Sequence, residues 1–203
     1  MNNPASEAET IWRPEVIPGQ QVFLSHIRRE DIPLFARWFS DLEFTTYTGA
    51  IGMSSTLEQE EEWFASITKD PTIKYFGIVV CEGQQLIGNI SLKQINYRHG
   101  TAEIGIGIGE KSTWGKGYGS EAIRLMVDYG FTFLGLHSIC LWHTSFNERG
   151  HRAYLKAGFK VAGQWREAAL FDGQRYDHVL MDITREDFGP SQLRSMLQQL
   201  QDK

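Results

Sequence analysis

A glycine-rich stretch at residues 114–122 is the part of this sequence whose composition points most clearly to chemistry. It reads Trp-Gly-Lys-Gly-Tyr-Gly-Ser-Glu-Ala and lies between an expected strand and an expected helix. Glycines let the backbone turn sharply and bring its N–H groups close to a ligand, and a helix N-terminus adds further N–H groups. The stretch therefore predicts a cradle for an anion such as a pyrophosphate, to which Lys116 would add a positive charge.

The glycine spacing separates this loop from two other phosphate-binding loops. A Walker A loop requires GxxxxGK[ST], which the sequence lacks. A dinucleotide-binding loop requires GxGxxG, whereas the glycines here follow GxGxG. On spacing alone, a glycine-rich turn that binds nothing is the remaining alternative.

A second stretch, residues 147–159, places an asparagine before an expected helix and a tyrosine two turns into it. Asn147 would cap a helix that Gly158 ends, and Tyr154 would lie on that helix. Taken singly, the asparagine is explained by capping and the tyrosine by packing. However, a phenol, with a pKa of about 10, can also protonate or hydrogen-bond a leaving thiolate, whose thiol has a pKa of about 8.5.

Together the two stretches resemble the GNAT superfamily of N-acetyltransferases. The loop is similar to the family's acetyl-CoA loop, written Q/R-x-x-G-x-G/A. Gly117 and Gly119 stand in the required places, and Trp114 stands where glutamine or arginine is commonest. Residues 147–159 are similar to the family segment N-x(6)-Y-x-x-x-G-F. Both halves of a donor site are thus represented.

Shorter matches point to one branch of that family. Residues 127–132 and 166–177 resemble the Rim-type ribosomal-protein and spermidine acetyltransferase branch. The resemblance runs from about residue 20 to residue 184 and implies an acetyl-CoA-dependent N-acetyltransferase that acts by direct attack in a ternary complex. Members with these motifs modify N-terminal amines, polyamines, amino sugars and antibiotics, so the acceptor is left open.

The resemblance also implies which residues bind acetyl-CoA. The N–H groups of the loop would hold the pyrophosphate, and the backbone around Ile106 and Ile108 would pair with the pantetheine arm. Asn147 would hydrogen-bond that arm, and Tyr154 would lie near the thioester sulfur as the catalytic acid. The expected donor-binding residues are Ile106, Ile108, Gly115, Lys116, Gly117, Tyr118, Gly119, Ser120 and Asn147.

The attacking amine must also lose a proton, since alkylammonium groups have a pKa of about 10. Glu103 stands where relatives often have a glutamate that acts through water, and we name it as the second catalytic residue. The alternative is a paired or exposed carboxylate. Glu167 is a weaker candidate. Cys140 as an acyl-carrying nucleophile is the rival mechanism, but nothing around it indicates an activated thiol.

The expected acceptor is a primary amine, with a peptide N-terminus placed ahead of a small polyamine or amino compound. Residues 44–49, an acidic second helix and residues 171–176 are expected to form its pocket. The glutamates of that helix would attract a cationic amine or simply form a solvated face. A catalytically silent acyl-CoA-binding module, acting as a sensor or partner domain, is the alternative function; Asn147 and Tyr154 argue against it.

The elements that would position these residues predict one mixed α/β domain, α+β-like in its order. The order is strand, two helices, three strands, helix, strand, helix and two strands. It predicts a GNAT-type domain at residues 20–184 with a central, mostly antiparallel sheet flanked by helices. Residues 1–19 are expected to be a flexible N-terminal arm, and residues 185–203 a C-terminal tail with a polar helix from Ser191.

Composition narrows the class of protein. The chain has 203 residues, of which 41% are hydrophobic, so a packed core is expected. A formal net charge of −5 argues against direct binding to nucleic acid. The sequence shows no metal-ligand spacing, no signal peptide and no apolar stretch near the ~20 residues that span a bilayer. We therefore expect neither a metal nor a membrane contact, while a homodimer is allowed.

The two cysteines, Cys81 and Cys140, each lie in an apolar run that is expected to be a strand. Two such residues do not make a disulfide framework, which indicates a reducing compartment. The expected location is the cytoplasm.

Overall fold

Alternating apolar residues build a seven-stranded sheet in the computed structural model, which describes residues 13–201. The strands are β1 (Val22–Ser25), β2 (Lys74–Val80), β3 (Leu86–Asn96), β4 (Thr101–Ile108), β5 (Ser138–Thr144), β6 (Lys160–Phe171) and β7 (Gln174–Thr184). The helices are α1 (Ile32–Phe39), α2 (Leu42–Tyr47), α3 (Leu57–Ile67), α4 (Tyr118–Thr132), α5 (Glu148–Ala157) and α6 (Gln192–Gln201). The prediction of a mixed α/β domain with flanking helices is confirmed.

The strand order is β1-β2-β3-β4-β5-β7-β6, and neighbouring strands are antiparallel except β4 and β5, which are parallel. That parallel pairing is short. It runs from Thr101 opposite Ser138 to Glu103 opposite Cys140, although β4 continues to Ile108. Beyond Glu103 the two strands separate, and the sheet opens in its middle.

The two faces of the sheet are covered by different helices. On β4, Ala102 and Ile104 are buried in the main core with Ile123 of α4, because alternate side chains of a strand point to one face. Burying a side chain such as Ile123 stabilises the fold by about 1.5–3 kcal/mol. A second core contains Phe35 of α1 and lies on the other side of the sheet. The sheet thus forms the middle layer of three.

The helix α2 was not predicted, because residues 44–49 showed only polar character. Asp41 caps it, and its carboxylate accepts hydrogen bonds from the backbone N–H groups of Glu43 (2.9 Å) and Phe44 (3.4 Å). Six residues are too few to display a helical period. Gly107 lets α2 approach the sheet, since a Cβ there would lie 2.8 Å from the Phe44 ring.

The last two strands form a hairpin longer than predicted. The sequence predicts strands near residues 159–165 and 176–183 and a hairpin turn at Asp172 and Gly173, and β6 and β7 extend to that turn. These two residues have φ values of 48° and 72°, as a two-residue turn between antiparallel strands requires. The predicted turn is confirmed at this position.

Residues 13–19 pack against the domain. Ile17 is 2% exposed and pairs with Leu24 of β1. Arg13 donates hydrogen bonds to the buried carboxylate of Asp31. The predicted flexible arm ends at residue 19, but this part of it is held because Ile17 fills the main core. Residues 1–12 of that arm lie outside the described residues.

The helix predicted in the C-terminal tail is α6, and it also packs onto the domain. Leu193 is 2% exposed within the main core. The backbone N–H of Leu193 donates to the Asp128 carboxylate at 3.1 Å, and the Ser191 hydroxyl donates to the same group at 2.5 Å. Since Asp128 belongs to α4, the tail buttresses the helix that carries the glycine-rich loop at its start.

Candidate functional site

A cavity of about 410 Å³ lies where β4 and β5 separate. Four parts of the chain line it: the end of α2, the end of β4, the loop with the start of α4, and one side of α5. Of the residues predicted from the sequence, those that line it are Ile106, Ile108, Gly115, Gly117, Tyr118, Gly119, Ser120, Asn147 and Tyr154. Lys116 and Glu103 are not among the lining residues.

The loop before α4 has the backbone geometry of an anion cradle. Gly115 and Gly117 have φ values of 79° and 90°, in the left-handed region that favours glycine. Gly117 is the N-cap of α4 and provides no side-chain acceptor for the first N–H groups of that helix. These donors, together with the positive end of the helix dipole, suit a negatively charged group.

The start of the loop is anchored by Trp114. Its indole Nε1–H donates to the carbonyl oxygen of Ile108 at 2.7 Å, which ties the loop to the last residue of β4. On the far side, the Lys156 ammonium lies 3.8 Å from the position that a Gly117 Cβ would take. A cation from α5 therefore reaches the cradle.

Lys116 lines an adjoining cavity of about 400 Å³. This second cavity shares Gly117, Ser120 and Lys156 with the first, so the two are continuous around the loop. Arg124 of α4 lies in it as well. Basic side chains thus line both cavities next to the loop.

Among residues 13–201, the edge of β4 that faces the cavity has no partner strand after Glu103. On that strand, Ile106 and Ile108 lie in van der Waals contact distance of Gly119, where a Cβ would be 3.9 and 3.8 Å from their side chains. An unpaired strand edge can form main-chain hydrogen bonds with an extended ligand that carries amides. The opening in the sheet therefore offers such a ligand a place beside the loop.

Asn147 is buried, at 6% exposure, and is the N-cap of α5. Its Oδ1 accepts from the Gly150 N–H at 2.9 Å, so it does cap the helix. Its Nδ2 donates to the Tyr47 carbonyl oxygen at 3.0 Å and thereby joins α5 to α2. These two hydrogen bonds leave one amide N–H and one lone pair of the side chain available.

Tyr154 projects from α5 into the same cavity. Burial raises the pKa of Tyr154 to about 12, so its hydroxyl keeps the proton at neutral pH. Its ring packs against the imidazole of His143, with centroids 5.6 Å apart. The hydroxyl is therefore a proton donor held in an apolar setting.

His143 was not identified from the sequence, although it continues the buried alternation of Ile139 and Leu141 on β5. Its Nδ1 lies 3.0 Å from the Thr144 carbonyl oxygen, which can only accept, so this nitrogen carries the proton. Its Nε2 lies 3.0 Å from Nδ1 of His151 and accepts from it. Burial lowers the pKa of His143, which favours this neutral form.

An aromatic wall connects α2 with the β6–β7 hairpin. We define it as Tyr47, Phe146, Phe171 and Tyr176. The Phe146 ring lies 6.3 Å from Tyr47, 5.2 Å from Phe171 and 5.1 Å from Tyr176, measured between centroids. Two of the three segments expected to form an acceptor pocket are thus brought together.

The third segment, the acidic helix α3, does not line the cavity. Its Glu60 is 6% exposed, and burial raises the pKa of that carboxyl group. The neighbouring glutamates of α3 are exposed. The charge run is therefore mainly a solvated face with one buried member.

The structure places the remaining candidates away from the cavity. Glu103 ends the paired part of β4 and β5, and its carboxylate lies 2.7 Å from the Lys93 ammonium. Glu167 is exposed at an irregularity of β6, with φ of 56°. Burial raises the pKa of the Cys140 thiol, which opposes formation of a thiolate nucleophile.

Within residues 13–201, no group of three or more His, Cys, Asp or Glu side chains is arranged to hold a metal ion. Of the helices described, none combines the length and the apolar character needed to cross a bilayer.

Similarity to known proteins covers the part of the chain that forms this site. Residues 21–160 match the family model described as the acetyltransferase (GNAT) domain. An uncharacterized N-acetyltransferase of Bacillus subtilis (strain 168), YoaA, is 31% identical over 173 residues, covering 84% of this chain and 97% of that protein. The likeness therefore extends beyond the loop to nearly the whole of the domain.

Two spermidine acetyltransferases are also similar. Spermidine N(1)-acetyltransferase of Escherichia coli (strain K12) is 33% identical over 111 residues, which are 55% of this chain and 59% of that protein. The structure of spermidine N-acetyltransferase from Vibrio cholerae in complex with CoA and spermine superimposes with a TM-score of 0.76. It is 26% identical, and the alignment covers 84% of this chain and 99% of that one.

Proposed function

This chain belongs to the GNAT acetyltransferase family, and we propose that it moves an acetyl group from acetyl-CoA to a primary amine of a small polyamine. The observation that carries the proposal is the single cavity between β4 and β5. It collects an anion cradle, an unpaired strand edge, Asn147 and Tyr154. The spermidine acetyltransferases among the relatives support the choice of a small-molecule amine.

For the donor, we assign the pyrophosphate to the N–H groups of the loop, from Gly115 to Ser120. Lys156 and Lys116 would add positive charge on either side of the cradle. The pantetheine arm would lie along the unpaired edge of β4 beside Ile106 and Ile108, and the free N–H of the Asn147 amide would reach it. The amides of the extended arm would form the main-chain hydrogen bonds with β4 that a neighbouring strand would otherwise form.

For catalysis, we assign to Tyr154 the stabilisation of the leaving thiolate, by a hydrogen bond or by protonation. A phenol whose pKa is raised to about 12 remains protonated at neutral pH and can donate to a thiolate as the carbon–sulfur bond breaks. No covalent enzyme intermediate is needed. The alternative nucleophile, Cys140, lies outside the cavity lining and has a raised pKa.

Glu103 stays a prediction as the base. Its carboxylate is held by Lys93 at the apex of the opening between β4 and β5. By the alternation of β4 it is on the face opposite to Ile104 and Ile106. From this position a water molecule would have to carry the proton from the amine.

For the acceptor, we assign the part of the aromatic wall beyond Tyr47, namely Phe146, Phe171 and Tyr176. Aromatic faces attract alkylammonium groups, and the formal net charge of −5 favours a cationic substrate. The sequence alone placed a peptide N-terminus ahead of a polyamine, and the spermidine acetyltransferase relatives support the reverse order.

Cys81 and Cys140 are both free, which supports the proposed cytoplasmic location.

The test is release of free CoA thiol from acetyl-CoA in the presence of single amines. The panel contains spermidine, spermine, N-terminal peptides and amino sugars. We expect release with the polyamines and a much smaller rate with the peptides. Release with peptides alone would overturn the acceptor assignment. Binding of acetyl-CoA with no release from any amine would favour the silent acyl-CoA-binding module.

A further inference from the structure

Arg149 of α5 lies between two aromatic rings at the cavity. Its guanidinium carbon is 3.6 Å from the centroid of the Trp114 ring and 4.7 Å from that of Tyr47. The two rings are nearly perpendicular, at 86°, so they contact the cation from different sides. The side chain is half-buried and lines the cavity.

The guanidinium has no anionic partner among residues 13–201, where it forms neither an ion pair nor a side-chain hydrogen bond. Glu43, the acid whose charge acts on it, is paired with Lys111 at 2.5 Å. Arg152, one turn along α5, is 69% exposed and pairs with Glu148 at 3.3 Å. A guanidinium has five N–H donors, and ring faces satisfy its charge in part but accept few hydrogen bonds.

The unpaired cation lies beside the first residue of the glycine-rich loop. Trp114, on which it stacks, is the residue directly before Gly115, and the indole is fixed by its bond to the Ile108 carbonyl oxygen. The loop beside Trp114 offers backbone N–H groups, while the charge comes from α5. A ligand phosphate in the cradle would therefore have Arg149 within the same cavity.

We propose that Arg149, held between Trp114 and Tyr47, binds the pyrophosphate of acyl-CoA. This inference rests on the donor assigned in the proposed function. An arginine presents a planar fork of donors that matches phosphate oxygens, and contact with the two rings restricts the side chain before the ligand arrives. Tyr47 and Trp114 act as positioning residues that hold the guanidinium.

The test compares three donors that differ in their phosphates, with affinities measured by calorimetry on the full chain. Acetyl-CoA carries all phosphates, acetyl-dephospho-CoA keeps only the pyrophosphate, and S-acetyl-pantetheine has none. For Arg149→Gln we expect about a tenfold to hundredfold loss of affinity for the first two donors and an unchanged affinity for the third. Arg149→Lys should lie between, since it keeps charge but not the fork.

The matched control is Arg98→Gln, the same charge change at an exposed residue in the β3–β4 turn. It should leave all three affinities unchanged, and thermal unfolding of each variant checks that the fold is retained. Equal losses with all three donors would overturn the inference, because Arg149 would then only shape the site. A loss with acetyl-CoA alone would assign it to the 3′-phosphate instead and would also overturn it.

The outcomes separate this inference from the proposed function. If the wild-type chain fails to bind acetyl-CoA, the proposed function itself is wrong. If the wild-type chain binds acetyl-CoA and Arg149→Gln binds it equally well, only the assignment of Arg149 is overturned.

Discussion

The two walls of the candidate site, which we propose for the donor and for the acceptor, are built in different ways. The donor wall is mainly backbone. It consists of the glycine-rich loop at residues 114–120, the N-terminus of α4 and the unpaired edge of β4. The proposed acceptor wall is made of the side chains of Phe146, Phe171 and Tyr176, which come from the β5–α5 loop and the β6–β7 hairpin and adjoin Tyr47 of the cavity lining. One wall is continuous in sequence, whereas the other exists only after folding.

The difference explains what each wall can specify. Backbone N–H groups recognise a phosphate whatever the neighbouring side chains are, provided that the glycines allow the turn. Aromatic faces recognise a shape and a charge, and both change with each substitution. We therefore expect changes in the two walls to act on different kinetic constants. Three experiments test that separation, and a fourth tests the stability contributed by a residue next to Tyr154.

The largest effect should come from Tyr154→Phe, at the point where the two walls meet. Removal of the hydroxyl should lower kcat about 100- to 1,000-fold, because the leaving thiolate loses its proton donor. Acetyl-CoA affinity should change by less than about twofold, since the ring still fills its place. Steady-state kinetics and calorimetry measure the two quantities.

The control for this change is Tyr97→Phe, which removes the hydroxyl of a tyrosine that is 56% exposed in the β3–β4 turn. Its kcat should equal that of the wild type. A Tyr154→Phe variant with wild-type turnover would remove the tyrosine as the acid.

Gly117→Ala should weaken acetyl-CoA binding about tenfold or more. An alanine at a φ of 90° costs about 1–2 kcal/mol, and the loop would relieve this strain by moving its N–H groups. No clash contributes, because the nearest atoms to a Cβ there, on Gln21 and Lys156, are 3.8 Å away. Calorimetry gives the affinity and chemical denaturation gives the stability.

Gly135→Ala is the matched control, with a φ of 68° and nothing within 4 Å of the new Cβ. It should show a similar loss of stability and no loss of affinity. Equal losses of affinity in the two variants would mean that strain, and not the loop geometry, weakens binding.

Phe171→Ala should raise the KM for the amine about five- to tenfold and leave the KM for acetyl-CoA unchanged. Phe171 is 37% exposed and contacts Phe146, so its loss opens the acceptor wall without touching the loop. Trp165→Ala, on the same hairpin and 65% exposed, should change neither constant. An increase in the KM for acetyl-CoA would show that the two walls are not independent.

The smallest effect concerns His143, which supports the ring of Tyr154. Its folded pKa is lowered by burial, so its neutral form contributes stability that is complete above the ordinary imidazole pKa of about 6.5. That contribution is lost as the pH falls from about 6.5 through the lower folded pKa. The stability of the wild type should therefore decrease between pH 7.5 and pH 5.5, as measured by denaturant titration.

Substitution of His143 by leucine should make that decrease shallower, whereas His99→Leu, at an exposed turn residue, should not. An unchanged slope in the His143 variant would assign the pH dependence to other groups. His151 and His178, whose charges act on His143, would be the next to test.

Much of the fold could be predicted from the sequence, because apolar residues in strands and long helices recur with the period of each element. β4 alternates isoleucine with glycine, and α4 repeats apolar residues over 15 positions. By contrast, α2 escaped prediction because a helix of six residues shows no period. Residues 13–19 were assigned to an arm because their prolines and polar residues conceal one buried side chain, Ile17.

The candidate site likewise has residues that the sequence predicted and residues that it did not. The loop was found because phosphate binding by backbone requires glycines at fixed spacing, and Gly115 and Gly117 do take left-handed conformations. His143 and Arg149 were not identified from the sequence. A histidine in a strand or an arginine in a helix does not indicate a function until the residues that surround it in space are known. Their roles come from contacts with Tyr154, Trp114 and Tyr47.

The sequence by itself indicated the family and the loop that we propose for the donor, since both depend on residue types a few positions apart. Only the tertiary structure decided where β4 and β5 separate, which rings form the acceptor wall and what surrounds Arg149. The hydrogen bond from Asn147 to the Tyr47 carbonyl oxygen joins residues 100 positions apart. Contacts over such separations depend on how the whole sheet and its helices pack, and no local pattern encodes them.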